Sequence, residues 1–302
     1  MTKLLQYSIS LAEQGITISQ FLYSLGYSRH LITHLRHTEH SIQIGGCDAY
    51  TNHVLMAGEC LTVTIAEEAP SEHIVPVEMP LSIVYEDEDI LVINKPANTP
   101  IHPSQGHYEN TLANGIAWYY ASKGETFVYR AINRLDRDTT GLLVVAKHML
   151  SACILSKMVA TRQIHREYLA IVTGKLDTSG TITAPIGRKD GSTVERCVNF
   201  ETGESACTHY RLLEYDAARD LSLAAVHLET GRTHQIRIHM QYIGHPLPGD
   251  FLYNPDYRYI GRQALHSWKL SFVHPITKSP LCFLAPLPDD MASLFPEFSN
   301  TF

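Results

Sequence analysis

No apolar run in the chain approaches the roughly 18 uninterrupted residues that cross a bilayer, so a membrane-spanning helix is not expected. The opening MTKLLQYSISLAEQG turns polar within a few residues and has neither the apolar core nor the cleavage pattern of a signal peptide. There is no C-x-x-C; the six cysteines stand at 47, 60, 153, 197, 207 and 282. A zinc knuckle and a disulfide framework are therefore not expected, and a reduced, cytoplasmic setting fits. Positive charge is also short: 24 Lys and Arg stand against 31 Asp and Glu, a net of −7. The deficit is uneven, with 3 basic against 6 acidic residues in 1–70, 6 against 10 in 71–150 and 15 against 15 in 151–302. Such a chain has no diffuse cationic field for nucleic acid, so any RNA contact must come from a local grouping of basic side chains. There is no internal repeat and no low-complexity tract.

What is present is an ordinary globular composition, 44% apolar and 18% charged over 302 residues, which excludes a mainly disordered chain. The length suits two domains better than one. The first boundary falls at Ala66 to Pro80, AEEAPSEHIVPVEMP, an acidic stretch with three prolines and no period, read as a linker or an extended connection. Before it, residues 17–25 and 28–37 carry helical patterns, with Thr17 or Ser19 as cap of the first, and Ile42–Ile44 and Cys60–Ile65 read as strands. After it, strands are expected at 81–85, 90–94, 141–147, 167–173, 208–214, 221–228 and 265–273, and helices at 148–161 and 233–243. Strands are many, helices few, and the two do not alternate. The expected fold class is α+β, with a mixed, largely antiparallel β-sheet flanked by helices and loops, preceded by a small α/β module.

Two stretches carry most of the polar chemistry. Ala131 to Lys147, AINRLDRDTTGLLVVAK, is a charged loop leading into an apolar strand, a common way to hold a reactive side chain on a rigid support. A salt-bridged surface loop is the alternative. Glu229 to Asp250 reads ETGRTHQIRIHMQYIGHPLPGD. A helix over 233–243 would put His234, Arg237 and Gln241 on one face and Ile236, Met240 and Ile243 on an inward one, with Gly231 freeing the backbone ahead of it. No carboxylate stands at a zinc-ligand spacing from these histidines, so a metal is not expected there. His30, His34 and His37 share a helical face, read as a weak RNA-facing surface or as unremarkable. The run Glu86-Asp-Glu-Asp89 is read as a solvated hairpin turn in preference to a cation site.

Together these stretches resemble the RluA-type family of pseudouridine synthases. Asn94-Lys-Pro-Ala97 with His102-Pro103 is similar to the family's first motif. Arg134-Leu-Asp136 with Asp138, Thr139 and Gly141 is similar to its R-L-D-x-D-T-S-G motif, with Asn133 where the family usually has His. Arg166-Glu-Tyr168-Leu-Ala170, Gly231 through Arg237, Gly244-His-Pro with Gly249-Asp250, and Leu265-His266 with Leu270 to Pro275 follow in family order, so the resemblance spans about residues 81–285. The N-terminal stretch resembles an S4-type RNA-binding module, through Leu22 to Arg29 and Ile42 to Gly46.

The resemblance implies an S4-like module over 1–68, a linker over 69–80 and a pseudouridine synthase domain over 81–302. It implies an isomerase that turns uridine in RNA into its carbon-linked isomer without metal or organic cofactor, acting as a monomer, with large-subunit ribosomal RNA as the expected substrate. Asp136 is then the essential carboxylate, a role that needs it ionised and that a neighbouring guanidinium favours. Arg237 is that basic partner, and Tyr168 the aromatic that stacks on a flipped uracil. Arg134, His102, Arg232, His234 and Gln235 are the expected substrate-binding residues, and Arg137, Lys147 and Arg166 are further candidates for phosphate contact. Three other readings stay open: a synthase acting on transfer RNA, an RNA-binding or ribosome-assembly factor without catalysis, and a glycosidase pairing Asp136 with Asp138.

Overall fold

The computed structural model describes residues 2–67, 69–71 and 73–299. The expected boundary at residue 68 and the last three residues of the chain lie outside them. Strands β1 (Thr2–Ser8), β2 (Ile42–Ile44), β3 (Cys47–Asp48) and β4 (Cys60–Ala66) form an antiparallel sheet in the order β1-β4-β2-β3. Helices α1 (Ile18–Ser24) and α2 (Arg29–His37) pack on it through Phe21, Leu22, Leu31, Ile32 and Leu35. Thr17 caps α1 with a reciprocal box: its hydroxyl accepts from the Gln20 amide at 3.2 Å, and the Gln20 side chain accepts from the Thr17 amide at 2.9 Å. Ser28 caps α2 by a single bond, its hydroxyl accepting from the Leu31 amide at 3.1 Å.

The second sheet is built from β5 (Ile83–Glu86), β6 (Ile90–Lys95), β7 (Thr140–Ala146), β8 (His165–Thr173), β9 (Ser179–Thr183), then, past a small ribbon of β10 (Ile186–Arg188) and β11 (Arg196–Val198), β12 (Cys207–Asp216), β13 (Leu221–Leu228), β14 (Leu265–Val273) and β15 (Pro280–Leu284). Its order is β5-β6-β7-β14-β8-β13-β12-β9, with β15 on the rest of β14's outer edge. Every pairing is antiparallel except the short one of β7 with β14. Helices α3 (Leu112–Ser122), α4 (Met149–Ala160), α5 (Gln235–Tyr242), α6 (Asp289–Ala292) and α7 (Pro296–Ser299) flank it, which is the α+β arrangement expected.

The unbroken apolar runs of β6 and β7 are explained by burial on both faces. Leu91, Ile93, Leu143, Val145, Tyr168, Ala170, Ala224 and Val226 point to one face, against α3 and α5. Ile90, Val92, Leu142 and Val144 point to the other, against Leu155 and Met158 of α4, while Leu169, Ile171, Leu221 and Leu223 meet Met291 and Phe295. The parallel contact has a strict requirement at Gly141. It sits at φ +107°, and a Cβ there would stand 2.2 Å from the Ser267 carbonyl oxygen, so only glycine lets β7 approach β14.

Two expectations change. The connection before Pro80 is extended, as one reading had it, but it is not free. Asn114 of α3 donates to the Val75 carbonyl at 2.8 Å, and Gly115 leaves room for Met79, whose Cγ would lie 2.3 Å from an added Cβ. The acidic run 86–89 is not simply a solvated turn. Asp89 is buried, with His148 at 2.9 Å and Lys3 of the first sheet at 2.7 Å. The two sheets are further joined by Glu67, which pairs with Arg130 at 2.9 Å and accepts from the Met149 amide at 3.0 Å. Leu150 of α4 is part of the first sheet's core, and Cys153 and Ile154 pack against it. Among the described residues, no helix is long and apolar enough to cross a membrane.

Candidate active site

Asp136 lies in the loop that enters β7, and the loop's backbone is held from three sides. Lys95 is buried and donates to the carbonyls of Arg137 at 2.8 Å, Pro96 at 2.7 Å and Thr99 at 3.0 Å. Burial draws this ammonium down and the charges of Asp138 and Asp136 pull it only part of the way back, which leaves it at about 7. Three carbonyl acceptors match the three protons of the charged form. Arg262, anchored on Asp290, donates to the Asp138 carbonyl at 3.1 Å. Asn133 accepts from the Val144 amide at 3.0 Å, tying the start of the loop to β7. A side chain on this loop is therefore positioned by buried cations and strand backbone, even though the loop is irregular.

The Asp136 carboxylate opens onto a cleft of about 830 Å³ between the 132–139 loop, the end of α4, β8 and the 227–237 segment. Arg237 reaches it from α5, Nη1 to Oδ2 at 2.8 Å. The other side of the same guanidinium makes a two-pronged bond to Asp250, at 2.6 and 2.7 Å. Asp250 is wholly buried and also accepts from the amides of Leu252 and Tyr253. Burial works against the Arg237 cation, but the bonds to Asp250 and the charges of Asp136 and Asp250 outweigh it and raise its pKa above the ordinary value. Arg237 is thus fixed by one carboxylate and presented to the other.

The helix carrying Arg237 starts two residues later than the spacing predicts. His234 adopts a left-handed conformation, φ 58° and ψ 19°, and takes the N-cap place. The unusual backbone falls on His234 rather than on Gly231. As a result His234 leaves the helical face and turns its ring toward the carboxylate, with Nε2 4.0 Å from Asp136 Oδ1 and Nδ1 2.9 Å from the Tyr253 hydroxyl. Burial lowers its pKa, so the ring is mostly neutral at pH 7. Ile236, Met240 and Ile243 point into the core as expected.

Tyr168 sits on β8 between Ser267 and Val226, 4% exposed, with its ring on the cleft wall. Burial raises its hydroxyl pKa, and the neighbouring Arg166 pulls the other way. Arg134 is exposed and lines the cleft, while Arg232 lines it too, tied to Glu204 and to the Ser205 carbonyl at 3.1 Å. His102 is not brought to the cleft wall. It is exposed, edge-on against Tyr129 with centroids 5.1 Å apart. Gln235 is buried and has no free group for a substrate. Its oxygen accepts from the Thr230 hydroxyl and the Arg232 amide, and its nitrogen donates to the Cys207 carbonyl and the Thr208 hydroxyl. Its observed work is to clamp the 229–235 loop to β12.

Two further expectations are corrected. Lys147 is buried on Glu86 at 2.8 Å and is spent inside the fold, not on phosphate. Asp138 is paired with Arg137 at 2.8 Å. Its residue lines a separate pocket with Asn98, Phe251 and Arg262, so it does not face Asp136 across the cleft. Asp250, Lys95 and Arg262 were assigned no role from sequence. The first two stand in quoted motifs, which was the available signal; nothing in the sequence marks Arg262.

The local charge of the cleft differs in sign from that of the chain. Five arginines and three histidines line it against two carboxylates, Asp136 and Glu229. Low dielectric walls around such a grouping favour an anionic polymer whatever the net charge.

The chain matches the family model described as RNA pseudouridylate synthase over residues 89–242. A relative named uncharacterized RNA pseudouridine synthase YjbO, from Bacillus subtilis, is 42% identical over 280 residues, which is 92% of this chain and 98% of the relative. The ribosomal large subunit pseudouridine synthase D of Vibrio cholerae is 40% identical over 254 residues, 80% of this chain and 77% of the relative. Among solved structures, human RNA pseudouridylate synthase domain containing 1 is similar at 26% identity with a TM-score of 0.59, over 71% of this chain and 87% of the other.

Proposed function

The chain belongs to the RluA-type RNA pseudouridylate synthase family, isomerases of uridine in RNA, and from that premise we propose that it acts on large-subunit ribosomal RNA with Asp136 as its essential carboxylate. The observation that carries the assignment of Asp136 is its position: a carboxylate on a cleft wall, 2.8 Å from a guanidinium that Asp250 holds in place. The net reaction breaks the N1–C1′ bond of uridine, forms a C5–C1′ bond, and moves the proton from C5 to N1. A carboxylate can serve it by attacking carbon or by relieving positive charge on the sugar. Arg237 orients Asp136, Tyr168 stacks on the extruded uracil, and neutral His234 stands within reach of the same carboxylate for proton movement. Arg134, Arg232 and Arg166 contact phosphate.

The choice of ribosomal RNA rests on the relative from Vibrio cholerae, whose name states that substrate. Residues 1–68 are read as an S4-like RNA-binding module, 69–80 as its connection and 81–302 as the catalytic domain. Supporting the first of these, α2 exposes Arg29, His30, Arg36 and His37 and carries no acidic residue.

Pseudouridine mapping of total RNA tests the reading. A deletion strain is compared with the same strain carrying the wild-type gene or Asp136→Asn, which keeps the side chain's size and removes its charge. Specific pseudouridines of large-subunit RNA are expected to vanish on deletion and to return only with the wild type. Restoration by Asp136→Asn would refute the carboxylate's role, and loss of transfer RNA sites alone would reassign the substrate.

A further inference from the structure

We propose that Cys207, His209 and Glu229 form a binding site for a divalent cation of the zinc class at the rim of the cleft. Cys207 and His209 stand two apart on β12 and so project from the same face. Glu229 follows the last residue of β13, the neighbouring strand. The three ligand atoms lie within 4.8 Å of one another. The sulfur is 3.7 Å from His209 Nε2, and that nitrogen is 2.7 Å from Glu229 Oε1. In a tetrahedral site, zinc at about 2.3 Å from sulfur and about 2.0 Å from nitrogen sets those two ligands about 3.6 Å apart. The protein already holds the sulfur and the nitrogen at that separation. The carboxylate oxygen would open from the nitrogen by several tenths of an ångström; its other oxygen is paired with Arg162 at 3.3 Å, and the side chain is 41% exposed.

The far side of the imidazole is also prepared. His209 Nδ1 lies 2.9 Å from the Thr181 hydroxyl, on β9, directly opposite His209 in the strand register. A metal-bound histidine keeps its proton on the other nitrogen and donates it to just such an acceptor, which fixes the ring and its tautomer. On binding, the thiol releases its proton to solvent, and the imidazole proton sits at Nδ1 facing Thr181. The His209–Glu229 hydrogen bond gives way to two metal bonds, and the fourth position is left to water. No electron transfer is involved. Thiolate and imidazole select a zinc-class ion over magnesium or calcium, which take oxygen ligands.

The full-length chain, chelator-treated and kept reduced without added thiol, is titrated with cobalt(II). A thiolate-to-cobalt charge-transfer band saturating at one equivalent and displaced by zinc is expected. Cys207→Ser should abolish it, and Cys282→Ser, at an exposed cysteine, should retain it. His209→Asn and Glu229→Gln should each weaken zinc binding about 10-fold or more. In the wild-type protein, zinc should slow alkylation of Cys207 measured by mass spectrometry, a readout that needs no variant to fold. Absence of the band, its persistence in Cys207→Ser, or alkylation of Cys207 indifferent to zinc would overturn the proposal.

Discussion

At the scale of single residues, the site depends on charges that are out of water and must stay matched. Removing one partner of such a pair costs about 3–5 kcal/mol, because the other is left buried and unbalanced. Asp250→Ala is therefore expected to destabilise the fold by an amount in that range, read as a lowered urea midpoint, and to cut turnover even at temperatures where it stays folded, because Arg237 is no longer presented to Asp136. Asp250→Asn, which keeps one acceptor, should fall between the two. A second expectation concerns pH. Burial of His266, bonded to Thr140 at the start of β7, lowers its pKa to about 4, against an ordinary value of about 6.5. Between those values the unfolded chain takes up a proton that the folded one refuses, so stability is flat above pH 6.5 and falls as pH drops toward 4. Between pH 7 and pH 5 the wild type should lose about 2 kcal/mol more than His266→Asn; equal losses would show that His266 is not the group responsible. Asp136, Tyr168 and Arg237 were legible in the sequence because their side chains meet at the site and their motifs name them. The clamping work of Gln235 and Lys95 was not, because it ends on groups from distant segments, the Arg137 carbonyl for Lys95 and the Cys207 carbonyl and Thr208 hydroxyl for Gln235, which no local pattern records.

At the scale of elements, the strands that reading by periodicity found are those buried on one or both faces, such as β13 and β14, whose bounds match the expected ones. Helix α3 was missed. Its sequence, LANGIAWYYAS, contains an Asn-Gly pair that reads as a turn and is apolar without amphipathic period. The structure explains both features: Asn114 closes a capping box with Thr111 and reaches back to Val75, and Gly115 admits Met79. Thr111→Ala should cost about 1 kcal/mol through the lost cap. Gly115→Val should cost more, by pushing Met79 and its segment off the helix, which protease sensitivity around residues 70–80 would report. Strand β1 was also unmarked, since its exposed and buried positions alternate only weakly in polarity, and pairing with β4 decides its conformation.

At the scale of the whole molecule, the net charge of −7 is a poor guide to the partner, because the basic residues are gathered where the carboxylate is. Binding of a uridine-bearing RNA should weaken with salt. Three to five phosphate contacts give a slope of about −2 to −3.5 in log affinity against log salt for single-stranded sites. An affinity unchanged between low and high salt would contradict the proposed phosphate contacts. The first sheet should also not melt alone. Lys3, Glu67 and Leu150 join it to the rest through contacts that neither part satisfies by itself, so heating should give one transition rather than two.

Helix α4 touches both ends of this arrangement. Its first turns, at Leu150, Cys153 and Ile154, are built into the core of the first sheet, while Val159 and Ala160 at its other end form the wall of the cleft. Its 12 residues span about 18 Å. If the first sheet grips RNA, as proposed, the helix works as a caliper: the gripped feature is held at a set distance from the carboxylate, and a uridine is chosen by how far it lies from that feature as much as by the bases beside it.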